Sequence, residues 1–201
     1  LPDSKAVLTG TPIRDELFQG ERKRGLALCG FDESKPVLMV IGGSLGASSV
    51  NKTVRDNLDA LLQKFQIVHL CGKDKMDNLL LTRPGYRQFE YVKEDLKDLY
   101  AMADIVLSRA GANAICELLA LKKPNLLVPL PTGRGDQKLN AASFEAQGYS
   151  IVVQDDDLPD VILEKISELY EHRNQYISAM EKSSQTDSNH LVLSLIEQEA
   201  K

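Results

Sequence analysis

The chain has 201 residues, 24 of them Lys or Arg and 29 Asp or Glu, for a formal charge of −5. At roughly 100–200 residues per domain this is one domain with short appendages, able to bury about 70% of its unfolded surface without disulfides or metals. The acidic balance excludes non-specific nucleic-acid binding, 43% hydrophobic residues exclude disorder, and no apolar run approaches the roughly 20 residues of a membrane span.

Residues 1–35 read as a lead-in. It comprises a short strand at 6–9, a turn at Gly10-Thr11-Pro12, and a polar helix whose Glu21-Arg22-Lys23-Arg24 run is most simply a solvated face. Residues 36–154 repeat one pattern of short apolar run, turn and amphipathic stretch. Strands are predicted at 36–42, 66–71, 87–91, 104–108, 125–129 and 149–153. Helices are predicted between them at 47–64, 73–81, 94–103, 113–121 and 136–147. This alternation means right-handed βαβ units and an α/β fold, a Rossmann-like doubly wound parallel sheet of about six strands. The runs at 37–41 and 126–130 are apolar at nearly every position, as in strands covered on both faces. Residues 155–201 read as extra C-terminal helices near 158–171, 173–184 and 188–200, the first entered through Asp157 as N-cap with Pro159 in its first turn.

Cys29, Cys71 and Cys116 form no CxxC pair and are odd in number, so a reduced, cytoplasmic compartment is expected. No secretory signal is expected, and the opening Leu1-Pro2-Asp3 without Met suggests a piece of something longer.

An open parallel sheet binds ligands beyond the carboxyl ends of its strands, where strand order reverses. With order 3-2-1-4-5-6, the strands ending at Gly42 and Ser108 flank that reversal. The turn Gly42-Gly43-Ser44-Leu45-Gly46-Ala47 lets backbone approach a ligand and feeds a helix N-terminus, which suits a phosphate. It is neither GxGxxG nor a Walker loop, and it is also compatible with a plain βα turn. The turn Ser108-Arg109-Ala110-Gly111-Ala112-Asn113-Ala114 again clears space at a helix start, with Glu117 one turn further in. That carboxylate can accept two hydrogen bonds from a vicinal diol such as ribose, or simply pair with Arg109 or Arg14. In the turn 131–140, Asp136, Gln137 and Asn140 can share one helix face and meet a sugar's hydroxyls; Asp136 can also be a plain N-cap. Together the three turns would span a nucleoside diphosphate carrying a sugar.

Asp155-Asp156-Asp157 contains a DxD spelling of metal sites but abuts Pro159, so capping is expected, and no His/Cys cluster has metal-ligand spacing. His69 lies within a predicted strand and is expected in the core. His172 and His190 lie in tail helices. No strong general base stands in the inferred cleft.

At these turns the sequence resembles a known family. Gly42–Ala47, the run Ala103-Asp104-Ile105-Val106-Leu107-Ser108-Arg109-Ala110-Gly111-Ala112, and Gly135-Asp136-Gln137-Lys138-Leu139-Asn140-Ala141 resemble the C-terminal half of the MurG family, bacterial UDP-N-acetylglucosamine transferases of peptidoglycan synthesis. Thr9-Gly10-Thr11-Pro12-Ile13-Arg14 looks like the family's segment just past its interdomain crossing, with Thr11 where Asn is common. The resemblance implies one half of a two-domain GT-B glycosyltransferase and a metal-independent, inverting transfer from UDP-N-acetylglucosamine, with no cofactor. The acceptor would be undecaprenyl-linked lipid I, reached through an N-terminal half, at the cytoplasmic face of the cell membrane. Carried over, Arg14 and Ser44 would meet the diphosphate and backbone at Val92 would read the uracil. Gly42, Gly43, Gly46, Arg109 and Gly111 would shape the phosphate loops, with Ala112, Asn113 and Ala114 lining the phosphate and sugar. Glu117 would take the ribose hydroxyls, and Asp136, Gln137 and Asn140 the sugar. Asp136 stands where His or Gln is common. The family's catalytic base would come from the N-terminal half. Alternatives are a stand-alone nucleotide-sugar-binding subunit, the donor half of a related glycolipid transferase, and, more remotely, a UDP-sugar epimerase or NAD oxidoreductase.

Overall fold

The structure, a computed structural model, describes residues 10–42, 47–132, 135–183 and 188–199. Six strands form one sheet: β1 (Val37–Ile41), β2 (Gln66–Leu70), β3 (Tyr86–Phe89), β4 (Ile105–Ser108), β5 (Asn125–Leu127) and β6 (Ser150–Val152). Every pairing is parallel, in the order β3-β2-β1-β4-β5-β6. β1 lies at the centre because its residues are apolar on both faces. Val37 and Met39 enter one core, while Leu38 and Val40 enter the other. At about 1.5–3 kcal/mol per buried aliphatic side chain, an edge position would expose this strand, so it takes an interior one beside β4, which is buried on both faces in the same way.

The helices cover both faces. α1 (Arg22–Cys29), α4 (Leu96–Met102), α5 (Ala112–Ala120) and α6 (Asp136–Ala146) supply residues to one core; α2 (Ser48–Asp56), α3 (Leu58–Lys64) and α7 (Leu158–Glu171) supply the other. α8 (Arg173–Glu181) and α9 (Ser188–Glu199) follow. Three local expectations fail. The helix expected over 47–64 is two helices, because Asn57 closes α2 with its amide and side-chain nitrogens both on the Thr53 carbonyl, at 3.2 and 3.0 Å. The stretch 73–81 is not an α-helix and keeps only a short 3-10 turn, Asn78–Leu80. Asp157 precedes α7 but makes no side-chain cap.

Within the lead-in, the strand expected at 6–9 lies outside the described residues, whereas Asp15–Gln19 (a 3-10 turn) and α1 pack on the main core through Leu17, Leu26 and Cys29. Gly25 makes this docking possible. A Cβ there would lie 2.3 Å from the Asp98 carbonyl oxygen in α4. Gly25→Ala therefore forces α1 away from α4 and is expected to cost about 1–3 kcal/mol, read as a lower urea midpoint; an unchanged midpoint would mean that α1 is not held this closely. Arg22 completes the anchor by reaching the Met102 carbonyl at 2.6 Å and the Asp104 carboxylate at 3.2 Å. Asp104 in turn accepts the Val37 amide at the start of β1.

Candidate functional site: a cleft at the strand-order reversal

The sheet order reverses between β1 and β4, and a cavity of about 610 Å³ opens beyond their carboxyl ends. Its walls come from all three expected turns: Gly42 and Ala47–Ser49 after β1, Ser108, Arg109, Gly111 and Ala114 after β4, and Leu130, Pro131 and Gln137 after β5. α2, α5 and α6 all begin here. The residues at their N-cap positions, Ala47, Gly111 and Gly135, make no side-chain cap. No side chain at those positions satisfies the first-turn N–H groups, although in α6 the Lys138 amide donates to the Gly135 carbonyl. Asp136 is the first residue of α6 rather than its N-cap, and it is exposed. Gly43, Ser44 and Gly46 lie outside the described residues.

Arg109 departs from its expected place in a phosphate loop. Its side chain is 9% exposed and pairs with Asp155 at 2.5 Å. It also donates to the Val128 carbonyl at 3.1 Å and to Ser49 Oγ at 2.8 Å. The Ser49 hydroxyl in turn donates to Asp155 Oδ1 at 2.8 Å. The guanidinium is thus occupied by protein groups, and it locks the ends of β4 and β5, the start of α2 and the loop after β6 into one rigid wall. Asp155, expected as part of a capping run, is the counter-ion of this lock. Its pairing depends on Arg109, 46 positions away in the chain, and nothing local signalled it.

Glu117 lies on α5, one turn beyond the cavity-lining Ala114; it is 18% exposed and, like Arg14, Val92, Asn113, Asp136 and Asn140, is not among the residues that line the cavity. Its Oε1 faces Arg14 Nη2 at 3.5 Å, one of the two pairings weighed for it, while its Oε2 accepts the Tyr100 hydroxyl at 3.1 Å. Burial and the adjacent carboxylate push the Tyr100 phenol well above its usual range, so it stays a donor. Sequence reasoning missed Tyr100, whose aromatic ring reads as core. Ala112 and Asn113 form the exposed first turn of α5. In the third turn, Gln137 Oε1 accepts the Leu130 amide at 3.0 Å and Asn140 Nδ2 donates to the Ala110 carbonyl at 3.1 Å, so both amides are held in place. Val92 is buried at 9% exposure after β3, and its backbone polar groups bond to none of the described residues. Among the described residues no three His, Cys, Asp or Glu side chains gather as metal ligands, and no helix is long and apolar enough to cross a membrane.

Residues 37–194 match the family model for the glycosyltransferase family 28 C-terminal domain. The chain is 55% identical over 204 residues to the UDP-N-acetylglucosamine--N-acetylmuramyl-(pentapeptide) pyrophosphoryl-undecaprenol N-acetylglucosamine transferase of Lachnospira eligens. That alignment covers all of this chain and 58% of the relative's length. Among solved structures, the fold is similar to that of MurG from Acinetobacter baumannii, with a TM-score of 0.70 and 21% identity over 98% of this chain and 58% of that one. It is also similar to UDP-GlcNAc 2-epimerase from Neisseria meningitidis, with a TM-score of 0.68 and 16% identity over 98% of this chain and 56% of that one. The two structures share the fold with this chain, and the match over 37–194 carries more: the chain belongs to glycosyltransferase family 28, as its C-terminal domain.

Proposed function

We propose that this chain is the donor-binding half of an inverting N-acetylglucosaminyltransferase that converts lipid I to lipid II, holding UDP-N-acetylglucosamine in the cleft between β1 and β4. The observation that carries the reading is the convergence of three uncapped helix N-termini on one cavity, an arrangement suited to a diphosphate. The relative's printed name supplies the chemistry of donor and acceptor.

In this reading Arg14, Ser44 and the loop glycines Gly42, Gly43, Gly46 and Gly111 address the diphosphate, and the unspent backbone groups of Val92 meet the uracil edge. Ala112, Asn113 and Ala114 line the phosphates and the sugar. Glu117 accepts the ribose hydroxyls. Gln137 has spent its oxygen on Leu130 and keeps both N–H donors for the sugar, whereas Asn140 keeps its oxygen as an acceptor. Asp136 adds an exposed carboxylate at the same helix start. Arg109 shapes the wall without touching the donor. Backbone dipoles and Arg14 neutralise the diphosphate, so the reading needs no metal and no cofactor. The catalytic base and the lipid acceptor site belong to the rest of the protein, which works peripherally at the cytoplasmic side of the membrane.

Calorimetric titration in EDTA tests this. UDP and UDP-N-acetylglucosamine are expected to bind, ADP and NAD to bind far more weakly, and Glu117→Ala to remove about 1.5–3 kcal/mol of UDP affinity. Equal affinity for ADP, or loss of UDP binding in EDTA, would overturn the assignment.

A further inference from the structure

Among the described residues the hydroxyl of Tyr100 has one protein partner, the Oε2 of Glu117, and the ring is fixed in the core. Its side chain is among the largest fully buried ones, 1% exposed, within the core formed by α1, α4 and α5. α4, which carries it, is clamped by the lead-in: a Cβ on Gly20 or Gly25 would lie 2.1 or 2.3 Å from the backbone oxygen of Lys97 or Asp98. The phenol therefore approaches the carboxylate at 3.1 Å from a direction that cannot drift. The other partner differs in kind. Arg14 is 52% exposed and stands 3.5 Å from Oε1, a contact that water or a ligand can displace at little cost.

From this asymmetry we infer that Tyr100 is a positioning residue for nucleotide recognition, orienting the Glu117 carboxylate so that its remaining lone pairs face the two ribose hydroxyls. A carboxylate offers about four acceptor directions. Tyr100 takes one on Oε2. The second direction on Oε2 and those on Oε1 stay available to a vicinal diol once Arg14 turns away toward the diphosphate. Without the phenol, Glu117 would sample several rotamers on the partly exposed second turn of α5, and binding a diol would have to order it. The inference rests on the assignment of Glu117 to the ribose, and the test separates the two.

The affinities of the chain for UDP and for 2′,3′-dideoxy-UDP, which lacks both hydroxyls, are measured by calorimetry in wild type, Tyr100→Phe, Glu117→Ala and the double variant. Wild type is expected to prefer UDP strongly. Tyr100→Phe is expected to shrink that preference about fivefold and leave 2′,3′-dideoxy-UDP affinity within about twofold. In the Glu117→Ala background, adding Tyr100→Phe should change neither affinity, because the hydroxyl acts only through the carboxylate. Equal affinity of wild type for the two nucleotides would remove Glu117 from the ribose and the inference with it. A wild-type preference that survives Tyr100→Phe, a parallel loss of both affinities, or a further loss in the double variant would overturn the role of Tyr100 alone. Unfolding of Tyr100→Phe, seen by circular dichroism, would assign the hydroxyl to stability and overturn it too.

Discussion

Asp155→Ala is expected to lower the stability of the domain by about 3–5 kcal/mol, the cost of leaving a buried cation without its counter-ion. The Asp155 and Arg109 side chains are 11% and 9% exposed, so water cannot take the place of the lost carboxylate. Arg109 would keep the Val128 carbonyl and Ser49 Oγ, but neither carries charge. Among the described residues its buried Nε already has no partner, which leaves no reserve of hydrogen bonds there to absorb the loss. The same cluster joins the ends of β4 and β5, the start of α2 and the loop after β6, so UDP affinity should fall together with stability. Urea denaturation reads the first effect and calorimetry the second. A double replacement, Arg109→Met with Asp155→Leu, should recover most of the stability, since removing both charges leaves neither unpaired. A loss below about 1 kcal/mol in Asp155→Ala would mean that water reaches the pair after all.

Acidification from pH 7 to pH 4 is expected to cost roughly 3 kcal/mol through a single imidazole. His69 on β2 is fully buried and lies between Tyr86 Oη at 2.8 Å from Nδ1 and Asn51 Oδ1 at 2.9 Å from Nε2. Asn51 turns its amide nitrogen to the Cys71 carbonyl, so its oxygen faces the ring. The ring therefore donates from Nε2 and accepts the Tyr86 proton at Nδ1, the arrangement of a neutral histidine. Burial, reinforced by the nearby Arg55 charge, depresses its pKa to about 3. The unfolded chain takes up a proton near pH 6.5 and the folded chain does not, so the unfolded state binds more protons between those values. The contribution is complete above pH 6.5 and is lost progressively as the pH falls toward 3. His69→Gln keeps a donor and an acceptor but cannot titrate. Urea midpoints of wild type and this variant at pH 7 and pH 4 isolate the effect from the carboxylates. Equal pH dependence in the two proteins would show that the imidazole can charge in place.

The contrast between His69 and the stretch 73–81 shows where sequence reading holds. His69 occurs in an apolar strand, and period-two packing on a sheet covered on both faces buries it whatever its partners are. The 73–81 stretch has helical spacing but is held by distant groups instead. Asp74 takes a positive φ of 57°. The Asp77 amide donates to Gln88 Oε1, the Gln88 side-chain nitrogen donates back to the Asp77 carbonyl, and Arg55 takes the Lys75 carbonyl. Those bonds replace the i to i−4 ladder, and no window of local sequence contains Arg55 and Gln88 together with residue 75. The break at Asn57 is a milder case, since a short polar side chain competes for the helix's own carbonyls.

The strand order entered only as the usual one for a doubly wound sheet, and the structure fixed it. The letters alone determined the alternation of strand and helix, the parallel sheet, and which three turns share an edge. These follow from hydrophobic periodicity and from the right-handedness of βαβ crossovers, both of which act over a few tens of residues. Only the tertiary structure decided what each polar group of the three turns does: that Arg109 is bound by Asp155, that Glu117 is shared by Tyr100 and Arg14, and that Gln137 and Asn140 are pinned to backbone. A charge or an amide satisfies whichever partner the packed fold brings within about 3 Å, and that partner is chosen by the approach of whole elements rather than by its neighbours in the chain.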